Sequence, residues 1–195
     1  VRIDPDGDSL AVHDPATGLQ TASVGVASPG LVDRAVRAAS DAALEWGQAS
    51  VAKRAKVMFA FRDLVARHAE DLAKVVTAEH GKVLDDARGE VQRGLEVVEF
   101  ACGVGELLKG AYSDQVSTGV DAHAFRQPLG VCVGITPFNF PVMVPLWMWP
   151  MAVACGNTFV LKPSEKVPLS AVREVELAHQ AGLPAGVLNL VTGGP

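Results

Sequence analysis

The chain has 195 residues, of which 49% are apolar and 20% are charged, and its formal net charge is -5 at pH 7. A chain of this length and composition buries a proper hydrophobic core, which excludes an intrinsically disordered protein. The acidic balance also argues against a nucleic-acid-binding surface, because such a surface needs clustered positive charge.

The sequence indicates neither a signal peptide nor a transmembrane segment. Residues 1–10 are acidic and contain proline and glycine, unlike the apolar core of a signal peptide. The most apolar stretch, residues 141–155, is interrupted by Pro145 and Pro150 and is shorter than the ~20 residues that span a bilayer. The chain has three cysteines, which cannot form a closed set of disulfides. We therefore expect reduced thiols, a cytoplasmic protein and no membrane contact.

The first hundred residues are predicted to be mostly helical. A turn-rich start, with "HDPATG" at residues 13–18, predicts two short strands joined by a turn. From residue 31 the apolar residues recur at helical spacing, and Ser28-Pro29 is a helix start signal. This spacing predicts four helices, over residues 31–46, 51–67, 69–80 and 83–109.

The second half alternates strands with helices. Residues 120–125 have the alternation of a strand, and three apolar runs, "GVCVGI", "NTFVLK" and "GVLNLV", are separated by helical stretches at 142–154 and 168–182. The resulting β-α-β-α-β pattern over residues 131–191 predicts half of a doubly wound parallel sheet, with strands covered on both faces. The predicted fold class is therefore α/β: a helical amino-terminal region, residues 1–128, followed by a Rossmann-like half, residues 129–195.

Two polar loops follow the first two strands of this sheet. Ligands of such sheets bind beyond the carboxyl ends of the strands, which is where "TPFNFP" and "KPSEK" are expected. Asn139 in the first loop has two interpretations. Its amide could donate a hydrogen bond to an oxyanion, or it could satisfy the backbone of the turn.

The second loop also has two interpretations. Lys162 and Glu165 could each bind a ribose hydroxyl of a nucleotide. Alternatively the loop is solvated, with Ser164 as the cap of the following helix and Glu165 near its amino terminus. No G-x-G-x-x-G fingerprint follows either strand.

The histidines and one further motif give no evidence for a functional site. The five histidines are scattered at positions without metal-ligand spacing, so no metal site is predicted. "EHGK" at residues 79–82 has the glycine of a helix carboxyl terminus, and no further role is predicted for it.

Taken in order, the motifs resemble the amino-terminal part of an aldehyde dehydrogenase. They are "DPATG", "EHGK", "QPLGVCVGITPFNFP", "GNTFVLKPSEKVPLSA" and "AGLPAGVLNLVTGG", and together they run almost the length of the chain. Within that family, "VPLWMWPMA" is similar to the methylmalonate-semialdehyde dehydrogenase (CoA-acylating) branch.

The resemblance implies roles for the first loop. Thr136, Pro137 and Phe138 would border the NAD cofactor, and Asn139 would be the catalytic donor that stabilises the oxyanion. This favours the catalytic interpretation of Asn139 over the structural one.

It likewise implies that the second loop binds the cofactor. Lys162 and Glu165 would hold the adenosine ribose, and Lys166 would add to that contact. The missing glycine fingerprint is then no objection, because the family uses an atypical nucleotide-binding loop.

The resemblance also implies a reaction that the chain cannot complete alone. The activity would be NAD-dependent oxidation of methylmalonate or malonate semialdehyde to an acyl-CoA, with CoA as co-substrate, by a homo-oligomer (dimer or tetramer). In this family the catalytic cysteine follows the "NLVTGG" motif, and none of Cys102, Cys132 and Cys155 occupies its place. We therefore expect a fragment without the catalytic domain. The alternatives are a hydrolytic aldehyde dehydrogenase of other substrate range and a non-catalytic nucleotide-binding or interaction fragment.

Overall fold

The computed structural model describes residues 7–194. Residues 1–6, which belong to the stretch compared above with signal peptides, and residue 195 lie outside the described residues. The elements in chain order are β1 (Ser9–His13), β2 (Gln20–Gly25), α1 (Pro29–Gln48), α2 (Val51–Arg67), α3 (Ala69–His80), α4 (Leu84–Cys102), β3 (Ala111–Ser117), β4 (Val120–Ala124), β5 (Val131–Ile135), α5 (Met143–Ala154), β6 (Thr158–Lys162), α6 (Leu169–Gln180) and β7 (Leu188–Leu190). A short 3-10 turn, Val104–Glu106, follows α4.

The amino-terminal elements begin and end at the signals in the sequence. Strands β1 and β2 form the predicted antiparallel pair. The hydroxyl of Ser28 accepts from Leu31 N at 3.2 Å and caps α1, and Ser50 caps α2 in the same way. Helix α3 ends at Gly81, whose φ of 80° is the left-handed conformation that favours glycine.

The predicted helix over residues 83–109 is wrong at its carboxyl end. Helix α4 stops at Cys102, and Gly103 begins the 3-10 turn. Glycine has low helix propensity, and Gly105 lies so close to α2 that a Cβ there would be 2.6 Å from Cγ1 of Val51. Packing against α2 therefore ends the helix a full two turns early.

Strand β3 was not predicted, because its sequence "AYSDQVS" offers no apolar face. It pairs antiparallel with β4, the strand that the sequence did predict. Every residue of the two strands is exposed. An isolated two-stranded hairpin is marginally stable in water. Because neither face of this hairpin is buried, burial of its side chains adds little to its stability.

The predicted doubly wound half-sheet is confirmed. Strands β5, β6 and β7 are parallel and adjacent in that order. On one face Val160 packs with Ala35 and Ala39 of α1. On the other face Phe159 and Leu161 join the large core that includes α5 and α6. Both crossover helices thus lie on one side of the sheet, as successive right-handed connections in one direction require.

Coverage on both faces, predicted for all three strands, holds for β6 but not for β5. Residues 158–161 of β6 are buried. In β5, Val133 is 59% exposed and Ile135 is 73% exposed. Within residues 7–194, β5 pairs only with β6 and is therefore an edge strand.

One core joins the helical region to the sheet. Helices α4 and α5 pack so closely that a Cβ on Gly94 would be 2.7 Å from Cδ1 of Leu146. The rings of Phe61 in α2 and Trp149 in α5 make an edge contact with centroids 4.6 Å apart. The predicted domain boundary at residue 128 falls between β4 and β5 and stays a prediction. Among the described residues, no helix is both long and apolar enough to cross a membrane.

Candidate cofactor and oxyanion site

The parallel register brings the two polar loops side by side. Ile135, the last residue of β5, is opposite Lys162, the last residue of β6. The next amide along, Thr136 N, donates to the carbonyl oxygen of Lys162 at 3.0 Å. Thr136 is buried, whereas Pro137, Phe138 and Asn139 are exposed. The first loop therefore leaves the sheet at the point where the second begins.

The side chain of Asn139 is available to a ligand. It is exposed, and its amide makes no hydrogen bond to any residue in the range 7–194. A turn-stabilising asparagine would bond its own backbone, and this geometry is not found here. The backbone carbonyl of Asn139 is bound, because it accepts from Lys82 Nζ at 3.0 Å.

Lys162 and Glu165 form an ion pair on the second loop, with Nζ and Oε2 3.5 Å apart. Both side chains are largely but not fully buried, with 19% and 23% of their surface exposed. A hydrogen bond from its own backbone N–H lowers the pKa of Glu165, and the positive charges of Lys162 and Lys166 act in the same direction. Glu165 is therefore an ionised acceptor next to a cation, which is the donor and acceptor set that a ribose diol needs.

A cation–π contact links the ends of the two loops. Nζ of Lys166 lies 4.9 Å from the ring centroid of Phe138, and the ring is half exposed. Of the seven residues predicted from the sequence, the structure thus pairs Thr136 with Lys162, Lys162 with Glu165, and Phe138 with Lys166. Asn139 makes no hydrogen bond to the second loop within the described part of the chain.

The sequence prediction missed a buried ion pair beneath the first loop. Glu90 of α4 is fully buried, and its carboxylate accepts from Val142 N at 2.9 Å and Met143 N at 3.2 Å. These are amides at the start of α5, which has no side-chain cap of its own. Lys82, in the α3–α4 connection, lies 2.5 Å from the other oxygen of Glu90.

A second buried glutamate holds the helix after the second loop. Glu79, at the end of α3, accepts from Leu169 N at 2.7 Å, from Ser170 N at 2.9 Å and from the Ser170 hydroxyl. The prediction that Ser164 caps this helix is wrong, because α6 begins only at Leu169. The Ser164 hydroxyl instead accepts from Lys166 N within the loop. Burial raises the pKa of Glu79, although these hydrogen bonds act in the opposite direction.

"EHGK" therefore does more than end a helix, contrary to the sequence prediction. Its first residue holds α6 and its last holds the Asn139 loop. The signal that could have found these contacts is a carboxylate on an apolar helix face. Glu90 lies beside Ala87, Val91 and Gly94, all buried on α4.

Glu174 of α6 is a third buried carboxyl group, 0% exposed. Its Oε2 accepts from Trp149 Nε1 at 3.3 Å, and its Oε1 has no partner among the described residues. Burial raises the pKa of Glu174 well above its usual range, and the charges of Glu90 and Glu79 add to that effect. Burial without a neighbouring cation thus favours the neutral form of this carboxyl group.

Two of the three cysteines, Cys102 and Cys155, are not activated as nucleophiles. Cys102 is buried, and burial raises the pKa values of the Cys102 and Cys155 thiols. A raised pKa lowers the fraction of nucleophilic thiolate. Within residues 7–194 no cluster of histidine, cysteine, aspartate and glutamate has the arrangement of a metal site.

The chain is similar in sequence and in structure to known semialdehyde dehydrogenases. The chain is 53% identical over 187 residues to malonate-semialdehyde dehydrogenase 2 of Geobacillus thermodenitrificans, covering 96% of this chain and 39% of that protein. The structure superimposes with a TM-score of 0.95 on methylmalonate-semialdehyde dehydrogenase from Oceanimonas doudoroffii, at 49% identity, covering 98% of this chain and 39% of that one. It also superimposes with a TM-score of 0.94 on a Sinorhizobium meliloti protein that is assigned as a methylmalonate-semialdehyde dehydrogenase and was solved with NAD. That match has 43% identity and covers 97% of this chain and 39% of the other.

The chain thus spans about two fifths of the length of the relatives that it matches. The match is nevertheless continuous along the chain, since the sequence profile of the aldehyde dehydrogenase family covers residues 3–195. Together with the paired loops beyond β5 and β6, this match confirms the family resemblance of the sequence motifs. The chain belongs to the aldehyde dehydrogenase family.

Proposed function

We propose that this chain is the amino-terminal part of an NAD-dependent dehydrogenase that converts methylmalonate or malonate semialdehyde to an acyl-CoA. The full-length enzyme would consist of this chain and a region that corresponds to the unmatched part of its relatives. The observation that carries the proposal is the pairing of the two loops, with the free amide of Asn139 on one and the Lys162–Glu165 pair on the other.

The second loop fits the adenosine ribose of NAD. The ionised carboxylate of Glu165 is an acceptor for a ribose hydroxyl, and the ammonium of Lys162 is a donor to the neighbouring one. A 2'-phosphate would be repelled by Glu165, so the enzyme should prefer NAD to NADP, with Lys162 and Lys166 reducing that preference. When bound, NAD accepts the hydride that leaves the aldehyde carbon.

The first loop fits the reacting carbonyl group. Asn139 would donate its amide hydrogen to the aldehyde oxygen, which becomes negatively charged when a cysteine thiolate attacks the carbon. That thiolate would come from outside this chain, because the thiols of Cys102 and Cys155 have raised pKa values. CoA would then take the acyl group from the cysteine, which restores the thiol.

The exposed hairpin favours a homo-oligomer. All residues of β3 and β4 are exposed, including Tyr112, Val116 and Val120. Apolar side chains on a marginal two-stranded hairpin gain stability when a second subunit covers them. We propose a dimer or tetramer of the full-length enzyme, and light scattering during size-exclusion chromatography measures its mass. The prediction of a cytoplasmic location, which rests on the three free thiols, is part of this proposal.

The decisive experiment measures products. Purified full-length enzyme is incubated with malonate or methylmalonate semialdehyde and NAD, with and without CoA, and the products are identified by mass spectrometry. Formation of NADH and an acyl-CoA, dependent on CoA, is the expected result. A free acid formed at the same rate without CoA would identify a hydrolytic enzyme instead.

The 195-residue chain alone provides the matched control. It should produce no NADH, because the thiols of Cys102 and Cys155 have raised pKa values and Cys132 does not occupy the motif of the catalytic cysteine. NADH production by the pure chain would contradict the proposal that the nucleophile lies outside it. If the full-length protein had no activity towards any aldehyde, the result would favour the alternative of a non-catalytic nucleotide-binding or interaction protein.

A further inference from the structure

We propose that Lys82 is a positioning residue for Asn139. It holds the peptide carbonyl of Asn139 from the α3–α4 connection and thereby fixes the direction of the Asn139 amide. The proposal deepens the oxyanion role given above and rests on it. Lys82 itself does not touch the substrate.

All three directions of the Lys82 ammonium group are used. Its Nζ lies 2.5 Å from Glu90 Oε2, 3.0 Å from the Asn139 carbonyl oxygen and 4.2 Å from the ring centroid of Phe140. An ammonium group has three donors, and here each has an acceptor or a ring face. The Lys82 side chain is only 12% exposed and Glu90 is fully buried, so water competes little with their ion pair, whereas the contact with Asn139 lies at the surface.

The same ion pair also holds the end of the loop. Glu90 binds the amides of Val142 and Met143 through Oε1 and Lys82 through Oε2. A fully buried carboxylate without a cation is strongly destabilising, so Lys82 supplies the charge that lets Glu90 start α5. The loop is then bound at three places: at Thr136 by the β6 backbone, at Asn139 by Lys82, and at residues 142–143 by Glu90.

This anchoring matters because the Asn139 side chain has no bond of its own within the described residues. The backbone therefore positions it, and the carbonyl group that Lys82 contacts is bonded to the same Cα as the side chain. An oxyanion donor must lie within hydrogen-bond distance of a charge that forms only during reaction. A misplacement of about 1 Å can cost ~10²-fold in rate.

The first test replaces the ammonium group but keeps the length of the side chain. Lys82→Met in the full-length enzyme should lower kcat by about 10- to 100-fold, while the KM for NAD changes little, since the ribose contacts lie on the other loop. Hydrogen exchange at the amides of Val142 and Met143, which Glu90 binds, should become faster, and this readout does not require catalysis. Lys82→Arg should restore part of kcat, because it keeps the positive charge.

The matched control is Lys109→Met. Lys109 also forms an ion pair with a glutamate, Glu106, but both side chains are mostly exposed. This variant should keep kcat and loop exchange unchanged. If Lys82→Met does not fold, Lys82→Met combined with Glu90→Gln leaves no unpaired buried charge and is measured in its place by the same readouts.

A double-mutant cycle separates positioning from a general effect on the fold. If Lys82 acts through Asn139, Lys82→Met should cost little further activity in an enzyme that already carries Asn139→Ala. Equal losses in both backgrounds, or normal loop exchange in Lys82→Met, would overturn the positioning role. If Asn139→Ala alone leaves kcat unchanged, the oxyanion assignment fails first, and the loop exchange still reports on the contact.

Discussion

The loops after β5 and β6 lie at the same edge of the sheet, yet they are anchored differently. Each leads to a helix whose first amides bind a buried glutamate from the helical region, Glu90 for α5 and Glu79 for α6. Glu90 is paired with Lys82, which also binds the middle of its loop. No cation pairs with Glu79 within the described residues, and the second loop relies on its own Lys162–Glu165 pair.

This difference matches what the loops are proposed to do. An oxyanion donor needs one fixed direction, so a loop anchored along its length suits it. A ribose contact needs a local donor and acceptor pair, which a short loop provides by itself. The comparison predicts that changes at Asn139 and its anchor act on turnover, that changes at Lys162 act on cofactor affinity, and that changes at Glu79 act on the stability of α6.

The largest effect is expected at Asn139. Asn139→Ala in the full-length enzyme should lower turnover by about 10²–10³-fold, the usual loss for one oxyanion donor, with little change in the affinity for NAD. Asn139→Asp keeps the size but places a negative charge beside the oxyanion, so it should be at least as slow. Steady-state kinetics of folded enzyme measure both, and near-normal turnover of Asn139→Asp would rule out the catalytic role.

The next largest effect tests the anchor of α6. Glu79→Gln replaces one acceptor oxygen by a donor, so at least one amide or hydroxyl among Leu169 and Ser170 loses its partner. An unsatisfied buried group costs about 1–3 kcal/mol, and this loss should appear in the free energy of unfolding in urea. Glu96→Gln, on the exposed side of α4, is the control. Equal stability of the two variants would contradict the anchoring role of Glu79.

A smaller effect is expected for the ribose contact. Lys162→Ala should raise the KM for NAD by roughly tenfold, the equivalent of one hydrogen bond of about 1.4 kcal/mol, and turnover should change far less. Lys166→Ala, which removes the contact with the Phe138 ring and a positive charge near Glu165, should have a weaker effect on the same constant. A fall in turnover without a change in KM would assign Lys162 to the chemistry instead of the cofactor.

The last prediction concerns the buried carboxyl group of Glu174 and the pH dependence of stability. Because its pKa is raised in the folded state, the folded chain keeps a proton that the unfolded chain loses. Stability therefore falls as pH rises from the usual carboxyl range towards the raised pKa, by at most about 1.4 kcal/mol per pH unit. Glu174→Gln cannot ionise and should reduce this slope in urea unfolding measured from acidic to neutral pH, while the raised pKa of Glu79 leaves a slope of the same sign. Glu176→Gln, on the exposed face of α6, should keep the slope; an unchanged slope in Glu174→Gln would contradict the raised pKa.

The sequence by itself determined most of the elements, although not β3, and the positions of the two loops. Helix periodicity, serine caps and Gly81 mark α1 to α3, and apolar runs mark β5, β6 and β7, because these signals act between residues close in the chain. Because neighbouring parallel strands end at the same edge of a sheet, the β-α-β pattern of the sequence was enough to predict that Asn139 and Lys162 lie at that edge. The early stop of α4 at Cys102 did not, because contact with Val51 of another helix decides it.

Only the tertiary structure decided what holds the loops. Glu79 and Lys82 lie 91 and 57 positions from the residues that they bind, Ser170 and Asn139, and no local pattern encodes a partner at that distance. A charge in an apolar helix face indicates that a partner exists, since an unpaired buried charge is too costly. Which helix end meets that charge depends on how the helical region packs against the sheet, and that packing is a property of the whole core.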